Sequence, residues 1–63
     1  MTIQVLKEYI AKAKREYPDY RDEIQMAYEL CLSEIEEGGS ESHETDLCMN
    51  FIDELVTGEL EED

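Results

Sequence analysis

A nine-residue pattern of apolar and acidic residues occurs twice in this chain, at positions 17 residues apart. The first copy is Glu29–Glu37 and the second is Asp46–Glu54, with Gly38-Gly39-Ser40 directly after the first copy. In both copies the apolar residues recur at intervals of three and four, which is the period of one face of an α-helix. Two such segments joined by a short, glycine-containing loop predict an antiparallel helical hairpin.

The two halves of this hairpin can be aligned, because a turn centred between Gly39 and Ser40 places residues whose numbers sum to 79 opposite each other. Every pair in this register is apolar on both sides: Ile24 with Leu55, Ala27 with Ile52, Tyr28 with Phe51, Cys31 with Cys48, and Leu32 with Leu47. We therefore expect the five residues from the later segment to form the core face of its helix.

A further amphipathic helix precedes the hairpin. Its apolar stripe steps by three and four residues from Ile3 to Tyr17, and it follows Thr2, a residue type that caps helix N-termini. Pro18 should end this helix, because the residue before a proline is pushed out of the α-helical region. The sequence thus predicts an all-α fold in which the first helix packs across the other two, with helices at about 2–17, 19–37 and 41–57.

Capping residues predict where the two hairpin helices begin and end. Asp19 is placed to cap the first of them, and Gly38 suits the left-handed position that terminates it. Ser40 or Ser42 is expected to cap the second, and Gly58 to end it.

The chain is short and strongly acidic. Its 63 residues form one domain, which we place at 1–58, and residues 59–63 form an acidic tail that should fray because it has little to bury. A core this small is marginal, so association with a partner or with itself would stabilise it. The net charge is −13, divided into +2 for residues 1–21 and −15 for residues 22–63. This charge disfavours direct binding to nucleic acid or anionic membranes and favours a basic protein partner.

Residues with catalytic or metal-binding chemistry are few. The single histidine, His43, belongs to no predicted nucleophile–base pair, so we expect no enzyme activity, no bound metal and no cofactor. Cys31 and Cys48 face each other in the predicted register, and three interpretations are open: buried free thiols, a redox-controlled disulfide, or a shared metal. The sequence contains no signal-peptide pattern and no membrane-spanning run, so we expect a reducing cytoplasm, where buried free thiols are the usual state of cysteine.

Carboxylates crowd the solvent-facing sides of the two hairpin helices. This crowding opposes folding through mutual repulsion, and either a basic partner or a need for solubility would account for it. We predict a partner-binding site of eight residues on these helices: Asp22, Glu23, Met26, Leu30, Glu34, Glu37, Asp46 and Asp53.

Met26 and Leu30 are the two apolar members of this predicted site. They lie four residues apart among acidic neighbours, away from the helix face that carries Ile24 and Ile35. Either helix 1 or a second copy of the chain packs on them, or they anchor a foreign partner within an acidic rim. So small a core leaves few apolar residues spare, which favours helix 1 or a homodimer.

An acidic hairpin without catalytic residues resembles the small acidic accessory proteins of bacteriophages, which include DNA-mimic inhibitors of host nucleic-acid-binding or defence proteins. The run Leu-Cys-Leu-Ser-Glu-Ile-Glu-Glu-Gly-Gly at 30–39 is also similar to short proteins of large tailed phages. The resemblance implies a cytoplasmic inhibitor that occupies the basic nucleic-acid-binding surface of a host protein. The alternative is a structural or assembly protein that acts as a homodimer or as a small subunit of a larger complex.

Overall fold

Three α-helices make up most of the structure, a computed structural model that describes residues 2–60, with side chains described as far as Gly58. Helix α1 is Ile3–Glu16, α2 is Arg21–Glu36 and α3 is Glu41–Leu60, and a 3-10 turn at Pro18–Tyr20 joins α1 to α2. The predicted all-α fold is confirmed, because α2 and α3 pack closely as a hairpin and α1 packs across both.

The beginning of α1 is held by two side chains. The Thr2 hydroxyl oxygen accepts a hydrogen bond from the Val5 N–H at 3.3 Å, so the predicted cap is confirmed. The Ile3 N–H donates to Oε2 of Glu41, at the start of α3, at 2.7 Å. This contact places a carboxylate beside the positive end of the α1 dipole, where negative charge is stabilising, and ties α1 to α3.

The beginning of α2 differs from the prediction. Pro18 ends α1 as expected but starts a 3-10 turn, in which the Tyr20 N–H donates to the Tyr17 carbonyl at 2.9 Å. The N-cap of α2 is Tyr20, which makes no side-chain capping hydrogen bond, and Asp19 lies within the turn. The prediction that Asp19 caps α2 is wrong, because the fixed φ of Pro18 is compatible with a helical turn and moves the start of α2 along the chain.

The turn between α2 and α3 is a Schellman motif. The Gly38 N–H donates to the Ile35 carbonyl at 3.1 Å, and the Gly39 N–H donates to the Glu34 carbonyl at 2.8 Å. Gly38 has a φ of +113°, which confirms the predicted glycine termination of α2. These two bonds satisfy carbonyls that the end of the helix would otherwise leave unpaired.

At the start of α3 the structure decides between the two predicted caps, and at its end the predicted boundary is wrong. The Ser40 hydroxyl oxygen accepts from the His43 N–H at 3.4 Å, so Ser40 is the cap. The prediction that Gly58 ends α3 is wrong, since the helix continues to Leu60. A glycine inside a helix costs only about 1 kcal/mol relative to alanine and does not by itself end a helix. Residues 61–63 of the predicted acidic tail lie outside the described residues.

The core lies where the three helices meet. Each helix contributes one fully buried aliphatic side chain, namely Leu6, Ile24 and Ile52. Burial of one such side chain stabilises the fold by about 1.5–3 kcal/mol. The other members of the core cluster are buried or partly buried around them: Ile10, Ala13, Cys31, Cys48, Tyr9, Tyr17, Tyr20, Ala27, Tyr28, Ile35 and Leu55.

Only part of the predicted core face of α3 faces inward, namely Cys48, Ile52 and Leu55. Leu47 and Phe51 are 49% and 53% exposed, and the buried positions of this helix are Thr45, Cys48, Ile52 and Val56. Thr45 tolerates full burial because its hydroxyl donates to the Glu41 carbonyl at 2.7 Å. The prediction that Leu47 and Phe51 face the core is wrong, because α1 covers only one side of the hairpin and these two residues line the other side.

Candidate functional site

An open groove of about 670 Å³ runs along the side of the hairpin that α1 leaves uncovered. Its walls are Met26 and Leu30 of α2, which are 67% and 62% exposed, and the half-exposed Leu47 and Phe51 of α3. In each helix the two wall residues lie four apart, so they project from the same face on successive turns. We refer to these four side chains and the cavity between them as the apolar groove.

The apolar groove concentrates the exposed apolar surface of the molecule. Among the described residues, five large apolar side chains are strongly exposed, and four of them line this groove, the exception being Val5 of α1. Single exposed apolar residues are ordinary on protein surfaces, whereas a contiguous patch marks a site of interaction. The grouping on one face therefore identifies the groove as the candidate functional site.

The floor of the groove is formed by Ala27 and the two cysteines. Cys31 and Cys48 are free, both are buried, and their side chains are close enough to hydrogen bond to each other. The sum-79 register therefore holds at this pair, and the interpretation as buried free thiols agrees with the structure. In the described part of the chain, no group of three or more His, Cys, Asp or Glu side chains is arranged to hold a metal ion.

Burial also suppresses the reactivity of these thiols. It raises the pKa of Cys48 to about 11, and the neighbouring Cys31 adds to the shift. Burial likewise raises the pKa of Cys31, and the Glu44 carboxylate raises it further by repelling the thiolate. Because the thiolate is the nucleophilic form, the raised pKa values lower the reactivity of both cysteines, which act as small apolar side chains in the groove floor.

Carboxylates surround the groove. We refer to the four acidic residues that line it as the acidic rim: Glu23, Glu29, Glu34 and Glu44. Glu29 is held by the side chain of Gln25, whose Nε2 donates to Glu29 Oε2 at 2.9 Å. Gln25 in turn accepts from the Lys14 ammonium of α1, so a hydrogen-bonded chain runs from α1 to the rim. Helix α1 thus helps to orient the Glu29 carboxylate of the rim without covering the groove.

The eight residues predicted for the site divide between several parts of the surface. Glu23, Met26, Leu30 and Glu34 lie together along the groove. Of the two occupants favoured for Met26 and Leu30, helix 1 is wrong because it leaves both side chains exposed, and a second copy of the chain stays a prediction. The remaining members are exposed but do not line the groove, namely Asp22, Glu37, Asp46 and Asp53.

Asp53 belongs to a different feature, a small crevice of about 200 Å³ between α1 and α3. Tyr9 and Lys12 of α1 line this crevice with it. Burial raises the pKa of the Tyr9 hydroxyl, and the Asp53 carboxylate raises it further. The crevice is small and shared by oppositely charged side chains, so the apolar groove is the better candidate site.

The sequence pattern does not identify the α3 wall of the groove, its floor or half of its acidic rim as parts of the site. Helical periodicity predicts that Leu47 and Phe51 face the core, and the predicted site contains neither Glu29 nor Glu44. A signal for the first two was present: the apolar residues of α3 come in runs of two or three neighbours, 47–49, 51–52 and 55–56. Adjacent helical residues lie about 100° apart, so paired apolar positions form a stripe too wide for the core contact alone.

Comparisons with known proteins add no relative. The chain matches no protein-family model, and no match was found among curated proteins or among solved structures. Within residues 2–60, no helix has the length and apolarity required to cross a lipid bilayer. The fold and the groove therefore define the class, a small three-helix protein with an unpartnered apolar groove inside an acidic rim.

Proposed function

We propose that this protein is a non-enzymatic binding module whose apolar groove and acidic rim bind a basic surface on another protein. One observation carries the proposal: Met26, Leu30, Leu47 and Phe51 are exposed side by side within a rim of four carboxylates. A small domain that exposes these side chains forgoes burial that its own core could use. Binding of a partner would recover that burial.

The groove and the rim would contribute differently to such a complex. Apolar side chains that become buried at the centre of an interface supply most of the affinity. Charged residues at the edge act mainly on the rate of association and on the choice of partner. The −15 charge of residues 22–63 would accordingly attract a basic protein and repel an acidic one.

The most specific form of this proposal is an inhibitor of a nucleic-acid-binding protein. The exposed carboxylates of α2 and α3 extend beyond the groove to Asp22, Glu37, Asp46 and Asp53. Rows of carboxylates on a rigid helical pair can stand in for nucleic-acid phosphates, which are spaced at about 1.7 Å of duplex axis per charge. We place this action in the cytoplasm, in keeping with reduced cysteines and with the resemblance to phage DNA-mimic inhibitors of host or defence proteins.

The test is capture of a partner from a bacterial lysate at low and at high salt, with DNA added as a competitor. The proposal predicts one nucleic-acid-binding protein that is released by salt and by DNA. The Leu30→Asp variant should lose the capture, whereas Val5→Asp, which changes an exposed apolar residue outside the groove, should retain it. A partner that is retained at high salt and is not displaced by DNA would contradict the inhibitor proposal.

The rim makes a kinetic prediction as well. Reversal of charge to lysine at Glu34, in the rim, and at Glu37, the exposed residue that follows α2, should slow association with the captured partner, because both carboxylates lie at the acidic C-terminal end of this helix. Glu8→Lys with Asp19→Lys makes the same change in net charge on exposed positions outside α2 and α3. Equal effects of the two double variants would mean that total charge, not this face, governs association.

A second candidate function is a homodimer or a small subunit of a larger assembly. The four exposed groove residues favour it, since a second copy could cover them. Light scattering on the purified chain decides this point, and a dimer that Met26→Asp converts to a monomer would support the assembly function. In that case the acidic surface would serve solubility.

A further inference from the structure

Resting on the proposed function, we infer that the occupant of the apolar groove is an amphipathic α-helix of another protein, with lysine or arginine on both sides of its apolar stripe. Three properties of the groove point to this occupant: its length, the absence of backbone partners in its lining, and the sign of its rim.

The length of the groove fits about two turns of a helix. Met26 and Leu30 are separated by about 6 Å along α2, and the groove lining continues about one turn beyond each of them, to Glu23 and Glu34. Two turns of an amphipathic helix present apolar side chains at i, i+3 or i+4, and i+7. The volume of about 670 Å³ accommodates several such side chains between the walls.

The lining of the groove disfavours an extended segment. Both walls are α-helices, whose central N–H and C=O groups are bonded within each helix and cannot pair with an incoming strand. An extended peptide would bury its own backbone groups against apolar side chains, and unpaired buried backbone groups are costly. A helix satisfies these groups internally, which is why apolar grooves between helices commonly accept amphipathic helices.

The sign of the rim selects a basic helix over a second copy of this chain. Lysines or arginines beside the apolar stripe would lie opposite Glu23 and Glu34 on one wall and near Glu44 on the other. Two copies joined groove to groove would instead bring rim against rim. The basic residues of the chain all lie in residues 1–21, and α1, which carries most of them, has its apolar face buried in its own core.

Three synthetic peptides of equal length test the inference by fluorescence anisotropy with the full chain. The first has leucines at i, i+4 and i+7 and lysines on the flanks. The second has the same composition in an order that forms no amphipathic helix, and the third replaces the lysines of the first with glutamates. We expect the first peptide to bind at least tenfold more tightly than either of the others.

Matched variants locate the site. Phe51→Ala should weaken binding of the first peptide about tenfold or more, whereas Val5→Ala, an exposed apolar position outside the groove, should change it less than twofold. Glu23→Gln with Glu34→Gln should reduce the salt dependence of binding more than Glu8→Gln with Glu36→Gln, which removes the same charge from exposed positions outside the groove.

Two results would overturn the inference. If the first two peptides bind equally, their composition drives binding and no helix is recognised. A salt-sensitive capture that DNA displaces would still support the proposed function. If no peptide binds, the groove does not accept a basic helix. A different result would contradict the proposed function: the first peptide binds, but the partner captured from the lysate is released neither by salt nor by DNA.

Discussion

Two adjacent residues of α3 provide a sharp test of where the core ends and the groove begins. Ile52 is fully buried, whereas Phe51 is 53% exposed in the apolar groove. The helical periodicity of the sequence assigns both to the core. The periodicity predicts similar losses of stability when either residue is replaced by alanine, whereas the structure predicts a much larger loss at Ile52.

The expected costs differ several-fold. Truncation of a buried isoleucine to alanine destabilises a protein by about 2–5 kcal/mol. Full burial of a phenylalanine contributes about 1.5–3 kcal/mol, and with half of Phe51 exposed only about 1 kcal/mol of this applies. The higher helix propensity of alanine offsets a few tenths of a kcal/mol of that loss.

The assay is urea unfolding followed by circular dichroism. A domain of this size has a free energy of unfolding of about 3–5 kcal/mol, so Ile52→Ala should be largely unfolded and Phe51→Ala should retain a cooperative transition. If Ile52→Ala cannot be measured, Ile52→Val, with an expected loss of about 0.5–1.5 kcal/mol, replaces it. A Phe51→Ala variant as unstable as Ile52→Ala would place Phe51 in the core and refute the groove.

Three further predictions concern the turn, the floor of the groove and the α1 cap. Gly38→Ala should cost about 1–2 kcal/mol because its φ of +113° is unfavourable for alanine, whereas Gly58→Ala, in α3 with open space around it, should be stabilising by about 0.5–1 kcal/mol; urea unfolding checks both. The pKa of Cys48 is raised to about 11 from 9.0, so the stability contributed by its neutral thiol is complete below pH 9 and is lost as the pH rises toward 11. In unfolding measured from pH 8 to 11, the Cys48→Ala variant should therefore lose less stability over this range than the unmodified chain. Glu41→Gln should cost about 0.3–1 kcal/mol in thermal unfolding at low salt, because it removes the carboxylate at the N-terminus of α1, and a loss that is unchanged in high salt would exclude the dipole explanation.

The features of the fold that depend on local chemistry could be predicted from the sequence. The Thr2 cap, the helix stop at Pro18 and the glycine termination at Gly38 each follow from the conformational preferences of one residue type. The register at Cys31 and Cys48 follows from the position of the turn between Gly39 and Ser40. These features involve residues that are close in sequence or opposite each other in one hairpin, so packing elsewhere does not alter them.

The wrong predictions concern features that depend on the position of α1. Helical periodicity identifies an apolar face but not which neighbour covers it, so Leu47 and Phe51 were assigned to the core although α1 packs on the other side of the hairpin. The same position of α1 leaves Met26 and Leu30 exposed. Asp19 was assigned as a cap because the 3-10 turn that Pro18 begins is not specified by residue type alone. The candidate site was therefore half predicted, on the α2 wall, and the α3 wall required the tertiary structure.

Methyl NMR of the three methionines tests the central claim, that the apolar groove is open in the free protein and binds a basic amphipathic helix. Met26 lies in the groove wall, and Met49 is partly buried in α3 outside the groove, so one spectrum holds both a probe and an internal control. On addition of the leucine–lysine helical peptide, we predict a saturable shift of the Met26 methyl resonance with little change at Met49. An unchanged Met26 resonance, or equal shifts at both methionines, would contradict binding in the groove.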